Sequence, residues 1–227
     1  MEDVVKKGDF VKIEFTAKTK EDGKIFDTTS EEVAKQAGIY SPALAFRPLP
    51  LVVGEKFVIE GLDEALEGKK VGEQFVVEIP PEKGFGKRKP ELLLTVSEPD
   101  LLQLGIKPEV GKYVRIPTAQ GVLTGRIVSI SGGRVVLDFN HPLAGKTLIY
   151  EVKILEKAQT EEDKVKYLID FFFPKLKYSL KLEGRKAILE LQIDEINTLV
   201  LDRFKLLKDF IKKYVANDLG LELRITV

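Results

Sequence analysis

Phe26 and Asp27 stand side by side in the run Lys24-Ile25-Phe26-Asp27-Thr28-Thr29, a ring and a carboxylate at what reads as the end of a strand. A second run, Asn140-His141-Pro142-Leu143-Ala144-Gly145-Lys146-Thr147-Leu148, is a turn that feeds the alternating segment Leu148-Ile149-Tyr150-Glu151-Val152. The chemistry open to these residues is narrow. The chain has no Cys, which removes disulfides, thiol nucleophiles and zinc–thiolate sites. His141 is the only histidine, so a turn or packing role is expected of it and metal binding is not. Glu31-Glu32 and Glu161-Glu162 fall on charged helical surfaces, which leaves paired-carboxylate acid–base catalysis without support. Gly84-Phe85-Gly86 is too short for a phosphate loop. Taken singly, Asp27 also reads as a loop cap on the Thr28–Thr29 backbone, and Phe15, Leu62 and Tyr150 as ordinary core.

The elements around these residues follow from periodicity. Val11, Ile13, Phe15 and Ala17 alternate after Gly8-Asp9, as a half-buried strand does. Asp22-Gly23 is a tight-turn dipeptide that returns the chain at Ile25-Phe26. A short helix near 30–38 ends at Gly38, Leu51-Val52-Val53 reaches Gly54, and 58–66 reads as a helix stopped by Gly68. Phe75, Val77 and Ile79 alternate until Pro80-Pro81, because proline has no N–H for the ladder. Residues 84–90 read as the exit from one core and 140–142 as the re-entry.

Between them runs a separate pattern. Strands are expected over 92–96, 113–116, 122–130 and 135–139, with a hairpin turn at Ser131-Gly132-Gly133. A helix capped by Ser97 carries Leu101, Leu102 and Leu104 and stops at Gly105. Exposed loops are where folds tolerate such insertions.

From about Thr160 a third pattern begins with a helix over 161–173, stopped before Pro174. Leu176, Tyr178, Leu180 and Leu182 alternate, Glu183-Gly184 turns, and Ala187, Leu189, Leu191 and Ile193 alternate again, as a hairpin. Ile196, Leu199, Val200, Leu207, Phe210, Ile211 and Tyr214 lie at helical spacing, with Gly220 as the expected stop. Leu221, Leu223, Ile225 and Val227 form a last strand. Leu201, Phe204 and Leu206 sit off the main stripe of the long helix, which raises the expectation of a homodimer interface there.

Lys plus Arg and Asp plus Glu number 36 each, so no net field favours nucleic acid or an acidic membrane. No apolar run approaches the roughly 20 residues a membrane span needs. The start, Met1-Glu2-Asp3, has no charged-then-apolar leader, and a soluble cytoplasmic protein is expected. A charged fraction of 32% with one Met, no Trp and three Asn follows a hyperthermophile tendency.

The runs at 24–29 and 140–148 resemble the two signatures of FKBP-type peptidyl-prolyl cis-trans isomerases, of the long archaeal type with a SlyD-like inserted chaperone domain. The resemblance covers 8–157 and extends to the rest only as a general plan. It implies an α+β fold: an FKBP-like antiparallel half-barrel around a short helix, from residues 1–86 plus 139–157. An inserted β-rich flap at 87–138 and a C-terminal α/β domain at 158–227 complete it. It implies proline isomerisation without cofactor or metal, acting on unfolded polypeptides that contain X-Pro bonds, with no nucleic-acid or membrane partner. The metal-binding tail of SlyD has no counterpart here.

Position by position, the resemblance implies Asp27, Phe26, Ile59, Phe85 and Tyr150 as catalytic, the Ile59 backbone N–H gripping a substrate carbonyl. Phe15, Leu49, Leu51, Val58 and Leu62 would line the substrate pocket. Leu101, Leu102 and Leu104 would either meet client chains or form the flap's small core. Phe15 and Phe85 stand where tyrosine is usual, and Leu62 where tryptophan is common, so two hydroxyls are gone and the floor is smaller. A rival reading follows, a holdase whose isomerase pocket is vestigial. A purely structural assembly subunit would have neither activity.

Overall fold

A computed structural model describes residues 3–118, 121–192 and 198–226. Met1, Glu2, Ile193, Ile196 and Val227 lie outside them, as do the side-chain placements expected for Leu199 and Ile225. The chain divides into two compact units, residues 1–80 with 147–227, and residues 81–146.

Strand β1 (Phe10–Thr19) is the axis of the first unit. Its second half pairs antiparallel with β2 (Ile25–Thr28), and its first half with β3 (Leu49–Val52) on the same edge. Its other edge pairs along its whole length with β9 (Leu148–Lys157), which in turn pairs with β4 (Gln74–Ile79). Residues directly opposite in an antiparallel ladder share a face. One face of this five-stranded sheet therefore carries Val11, Ile13, Phe15 and Ala17 together with Leu51, Tyr150, Val152, Val77 and Ile79. Helix α1 (Glu31–Gln36) starts at Ser30, whose hydroxyl accepts the Val33 N–H. Helix α2 (Glu60–Leu66) buries Leu62 and Leu66.

One end of the opposite face is covered as well. Phe10 and Val52, paired across β1 and β3, are 1% exposed. They join one core with Val165, Leu168 and Phe173 of the tail, and with Leu189, Leu207 and Ile211. Helix α4 (Glu161–Phe172) opens on a capping box between Thr160 and Asp163. Strands β10 (Lys177–Glu183) and β11 (Lys186–Gln192) form the expected hairpin. Helix α5 (Thr198–Tyr214) crosses over to β12 (Gly220–Thr226), which lies parallel to β11.

The sequence reading ended the long helix at Gly220, and that is corrected: it ends at Tyr214. The N–H groups of Val215 and Ala216 both turn back onto the Ile211 carbonyl, which uses the last helical acceptor twice and breaks the repeat. Gly220 instead opens the parallel strand, its N–H bonded to the Arg185 carbonyl at 2.9 Å.

In the second unit, β5 (Leu93–Ser97), β8 (Arg134–Asp138), β7 (Gly121–Ser131) and β6 (Tyr113–Thr118) form one antiparallel sheet in that order. Helix α3 (Glu98–Gln103) is capped by the Ser97 hydroxyl and lays Leu101 on Val114, Ile127, Val135 and Leu137. No helix among the described residues is long and apolar enough to cross a membrane.

Candidate active site

A slip in register brings the carboxylate and the rings together. Ala17 lies opposite Asp27, but Lys18 lies opposite Ile25, which leaves Phe26 as the extra residue of a β-bulge. Bulges re-aim side chains. Here Phe26 reaches the Tyr150 ring edge-on, 6.1 Å between centroids at 75°. Phe15 meets the same ring at 5.5 Å and 38°. Asp27, Ala17, Tyr150 and Val77 form one row across four strands, and Ala17 is 0% exposed.

The end of β2 is tied down by hydroxyls. Thr29 Oγ1 accepts the Phe15 N–H at 2.9 Å, Thr28 Oγ1 donates to the Phe15 carbonyl at 3.1 Å, and Ser30 N–H donates to Thr28 Oγ1 at 3.2 Å. Asp27 keeps a solvent-facing side. The protein around it still strips enough water from the carboxyl to push its pKa above the ordinary 3.8, against the opposing pull of a bond from the Thr28 N–H. The negative charge of Asp27 is felt at the Tyr150 hydroxyl. Burial raises the pKa of the Tyr150 hydroxyl, and the charge of Asp27 raises it further.

The next expected residues stand at the entrance to α2. Gly61 sits so close to β4 that a Cβ would lie 2.5 Å from Ile79 Cγ2, so only glycine lets the helix settle onto the sheet at this depth. Leu62 and Leu66, at 1% and 0% exposure, contribute about 1.5–3 kcal/mol each by leaving water. Asp63 is buried, and its carboxylate accepts the N–H of Gly54 at 2.8 Å and of Lys56 at 3.0 Å. Both are left-handed, at φ of +79° and +60°. Lys56 is the only non-glycine with positive φ among the described residues, a conformation that costs about 1–2 kcal/mol. This clamped turn delivers Val58 and Ile59, both half-buried. Ile59 caps α2, its carbonyl accepting from Leu62 and Asp63, while its own N–H has no partner among the described residues.

The remaining expected site residues divide by burial. Leu51 and Leu62, at 2% and 1%, offer a ligand almost no surface and fill the floor; Leu49 is half-buried. Phe85 belongs to the 81–146 unit, where it stacks on His141 with centroids 4.4 Å apart and planes 5° from parallel. His141 Nδ1 accepts the Leu143 N–H at 3.2 Å, so this histidine both packs and closes a turn. Of the three leucines expected to meet client chains, Leu101 is 2% exposed and belongs to the unit's core, because it faces the sheet. Leu102 and Leu104, at 53% and 52%, are on the surface.

Residues 2–155 match the family described as FKBP-type peptidyl-prolyl cis-trans isomerase. The chain is 37% identical over 163 residues to a short-type peptidyl-prolyl cis-trans isomerase of Methanocaldococcus jannaschii, covering 72% of this chain and 100% of that protein. It is 34% identical over 134 residues to the FKBP-type 16 kDa peptidyl-prolyl cis-trans isomerase of Escherichia coli, covering 59% and 84%. The SlyD isomerase of Haemophilus influenzae is 35% identical over 136 residues, covering 59% and 71%.

The chain belongs to the FKBP-type peptidyl-prolyl cis-trans isomerase family.

As an FKBP-type isomerase the protein speeds rotation about X-Pro bonds, and its mixed α/β architecture with antiparallel sheets agrees with that family's fold. The FKBP match stops at residue 155, ahead of α4. Sequence reasoning missed three residues that shape the candidate site: Ala17, Gly61 and Asp63. Asp63 left a trace, a carboxylate between Leu62 and Leu66 on an otherwise apolar helix face just after a glycine turn. Gly61 in the first helical turn left another.

Proposed function

We propose that an X-Pro imide turns over the surface formed by Asp27, Phe26, Phe15 and Tyr150, with the Ile59 N–H holding a neighbouring carbonyl. The uncatalysed barrier, about 18–20 kcal/mol, is the loss of amide resonance, so no proton or bond need change hands. A catalyst has only to bind the twisted imide better than either planar form. Rings that exclude water favour the twisted form, which has lost its charge separation, and Asp27 biases the carbonyl as it rotates. Each ~1.36 kcal/mol of such selectivity is worth tenfold in rate. The observation that carries this reading is the bulge turning both Phe26 and Asp27 toward Tyr150.

Client chains are unfolded or partly folded polypeptides in this reading, and residues 87–138 are an inserted holding segment. Leu94, Leu102, Leu104, Val110 and Val122 support it, each between 45% and 64% exposed. A holding surface raises the local concentration of X-Pro bonds. Residues 1–86 with 139–157 then act as the isomerase module and 158–227 as a further α/β module. Leu201 and Leu206, 44% and 49% exposed on α5, support self-association through that module, and a monomer in sedimentation at high concentration would refute it. The balanced charge and the absence of an apolar run support a cytoplasmic location.

Proline-limited refolding and tetrapeptide turnover test the whole reading. Asp27→Ala and Phe85→Ala should each lower both rates. Removing 87–138 should slow the refolding reaction far more than the tetrapeptide reaction. Suppression of aggregation with no rate effect would instead favour the holdase.

A further inference from the structure

The turn that presents Ile59 is held from outside as well as by Asp63. Glu55 accepts a hydrogen bond from the Tyr214 hydroxyl at 2.9 Å, and Lys213 Nζ lies 3.4 Å from the same oxygen. The Tyr214 bond is the chief reason the Glu55 carboxyl titrates below its usual range. Two residues on, the Phe57 ring stands edge-on to Phe171 at 4.8 Å and to Phe210 at 5.6 Å. Lys56, between these two anchored residues, is left-handed and, unlike Gly54, carries a side chain that makes this costly. Lys56 holds a costly left-handed conformation, so releasing its flanks would favour its relaxation, and that would turn the peptide plane leading to Ile59. The neighbouring loop is tied to the same tail: Arg47 donates to the Asp170 carbonyl and Lys175 to the Pro42 carbonyl. None of these tail residues falls within the family-matched 2–155.

We propose that α4 and α5 are a working part of the isomerase site, with Phe57 and Tyr214 as positioning residues that set the direction of the Ile59 N–H. This rests on reading that N–H as the substrate grip. A grip held equally in the planar and twisted states affects substrate affinity, so its misdirection raises KM and leaves kcat nearly unchanged.

The test uses the full chain and an uncharged proline tetrapeptide, with the Ile59 amide followed by NMR. In the unaltered protein the peptide should shift the Ile59 amide resonance. Phe57→Ala should raise KM about fivefold or more with kcat within about twofold, and Phe57→Tyr, which keeps the ring, should restore it. Tyr214→Phe, which removes the hydroxyl's bond to Glu55 and the one it accepts from Lys213 Nζ but keeps the ring, should raise KM about twofold. An Ile59 amide that ignores the peptide in the unaltered protein overturns the grip, and the proposal with it. A shift in the unaltered protein, with KM unchanged in Phe57→Ala and Tyr214→Phe, leaves the grip standing and overturns the role of the tail. A fall in kcat at constant KM, as from lost active molecules, also overturns it. Should Phe57→Ala fail to fold, Tyr214→Phe and Glu55→Gln leave the apolar packing intact, and an unchanged KM in both overturns the proposal.

Discussion

Asp27 and Tyr150 face the same side of the sheet in one transverse row, with only Ala17 between them.

The Tyr150 ring touches Phe15 and Phe26, and aromatic pairs of this kind are worth about 0.5–1.5 kcal/mol each. Tyr150→Leu should therefore lower kcat/KM by about ten- to a hundredfold. Tyr150→Phe keeps both ring contacts and should stay within about threefold, because the hydroxyl, its pKa pushed up by burial, carries no charge at working pH. A coupled or direct tetrapeptide assay distinguishes the two variants.

Asp27 makes an opposite-signed prediction for stability. Its carboxyl pKa is raised in the folded protein, so the folded state favours the protonated form. The stability this contributes is complete below the unfolded value near 3.8 and is lost as pH rises through the folded value. Asp27→Asn should then melt at or above the wild-type temperature at pH 7, while isomerisation falls. The melting difference should shrink as pH drops toward 3.8, and a variant less stable at pH 7 than at pH 4 relative to wild type would contradict the cause assigned to the shift.

Gly61→Ala would ordinarily help a helix by about 1 kcal/mol. Here the added Cβ meets Ile79 Cγ2 at 2.5 Å inside a closed core, and overpacking costs about 1–3 kcal/mol. Denaturant unfolding should record a net loss. Ile79→Leu removes the branching methyl, so the double variant should recover part of it.

Asp63→Ala leaves the N–H groups of Gly54 and Lys56 without their acceptor. At about 1–3 kcal/mol for a buried unsatisfied donor, a loss of about 2–4 kcal/mol is expected by urea denaturation. Asp63→Asn keeps one acceptor oxygen and should lose about half as much.

Much of this was legible in the chain. Alternation at 11–17 and 75–79, the capping residue Ser97, and the stops at Gly38, Gly68 and Gly105 are local signals, and each has its counterpart in the elements. What escaped is set by partners distant in sequence. Alternation assigns one buried face to the first strand, yet Phe10 on the other face is buried because the tail covers it. The bulge at Phe26 depends on how β2 pairs with β1, which no count along β2 reveals. Gly220 looked like a helix stop because glycine is common there, but the Ile211 carbonyl had already ended the helix. The parallel pairing of β11 and β12 needs the crossover through α5, and composition alone does not distinguish it from a hairpin.

The pairing of Thr19 with Leu148 has a consequence for a chain emerging from the ribosome. Every strand of the 81–146 unit finds its neighbours within that unit, so its sheet can close while synthesis is under way. Strand β1 cannot; its long inner edge waits for β9, and Val11 and Ile13 stay unpaired on that side until then. Non-local ladders form slowly for the same entropic reason. An isomerase of X-Pro bonds thus carries in its own first strand a delay of the kind that leaves nascent chains in need of shelter.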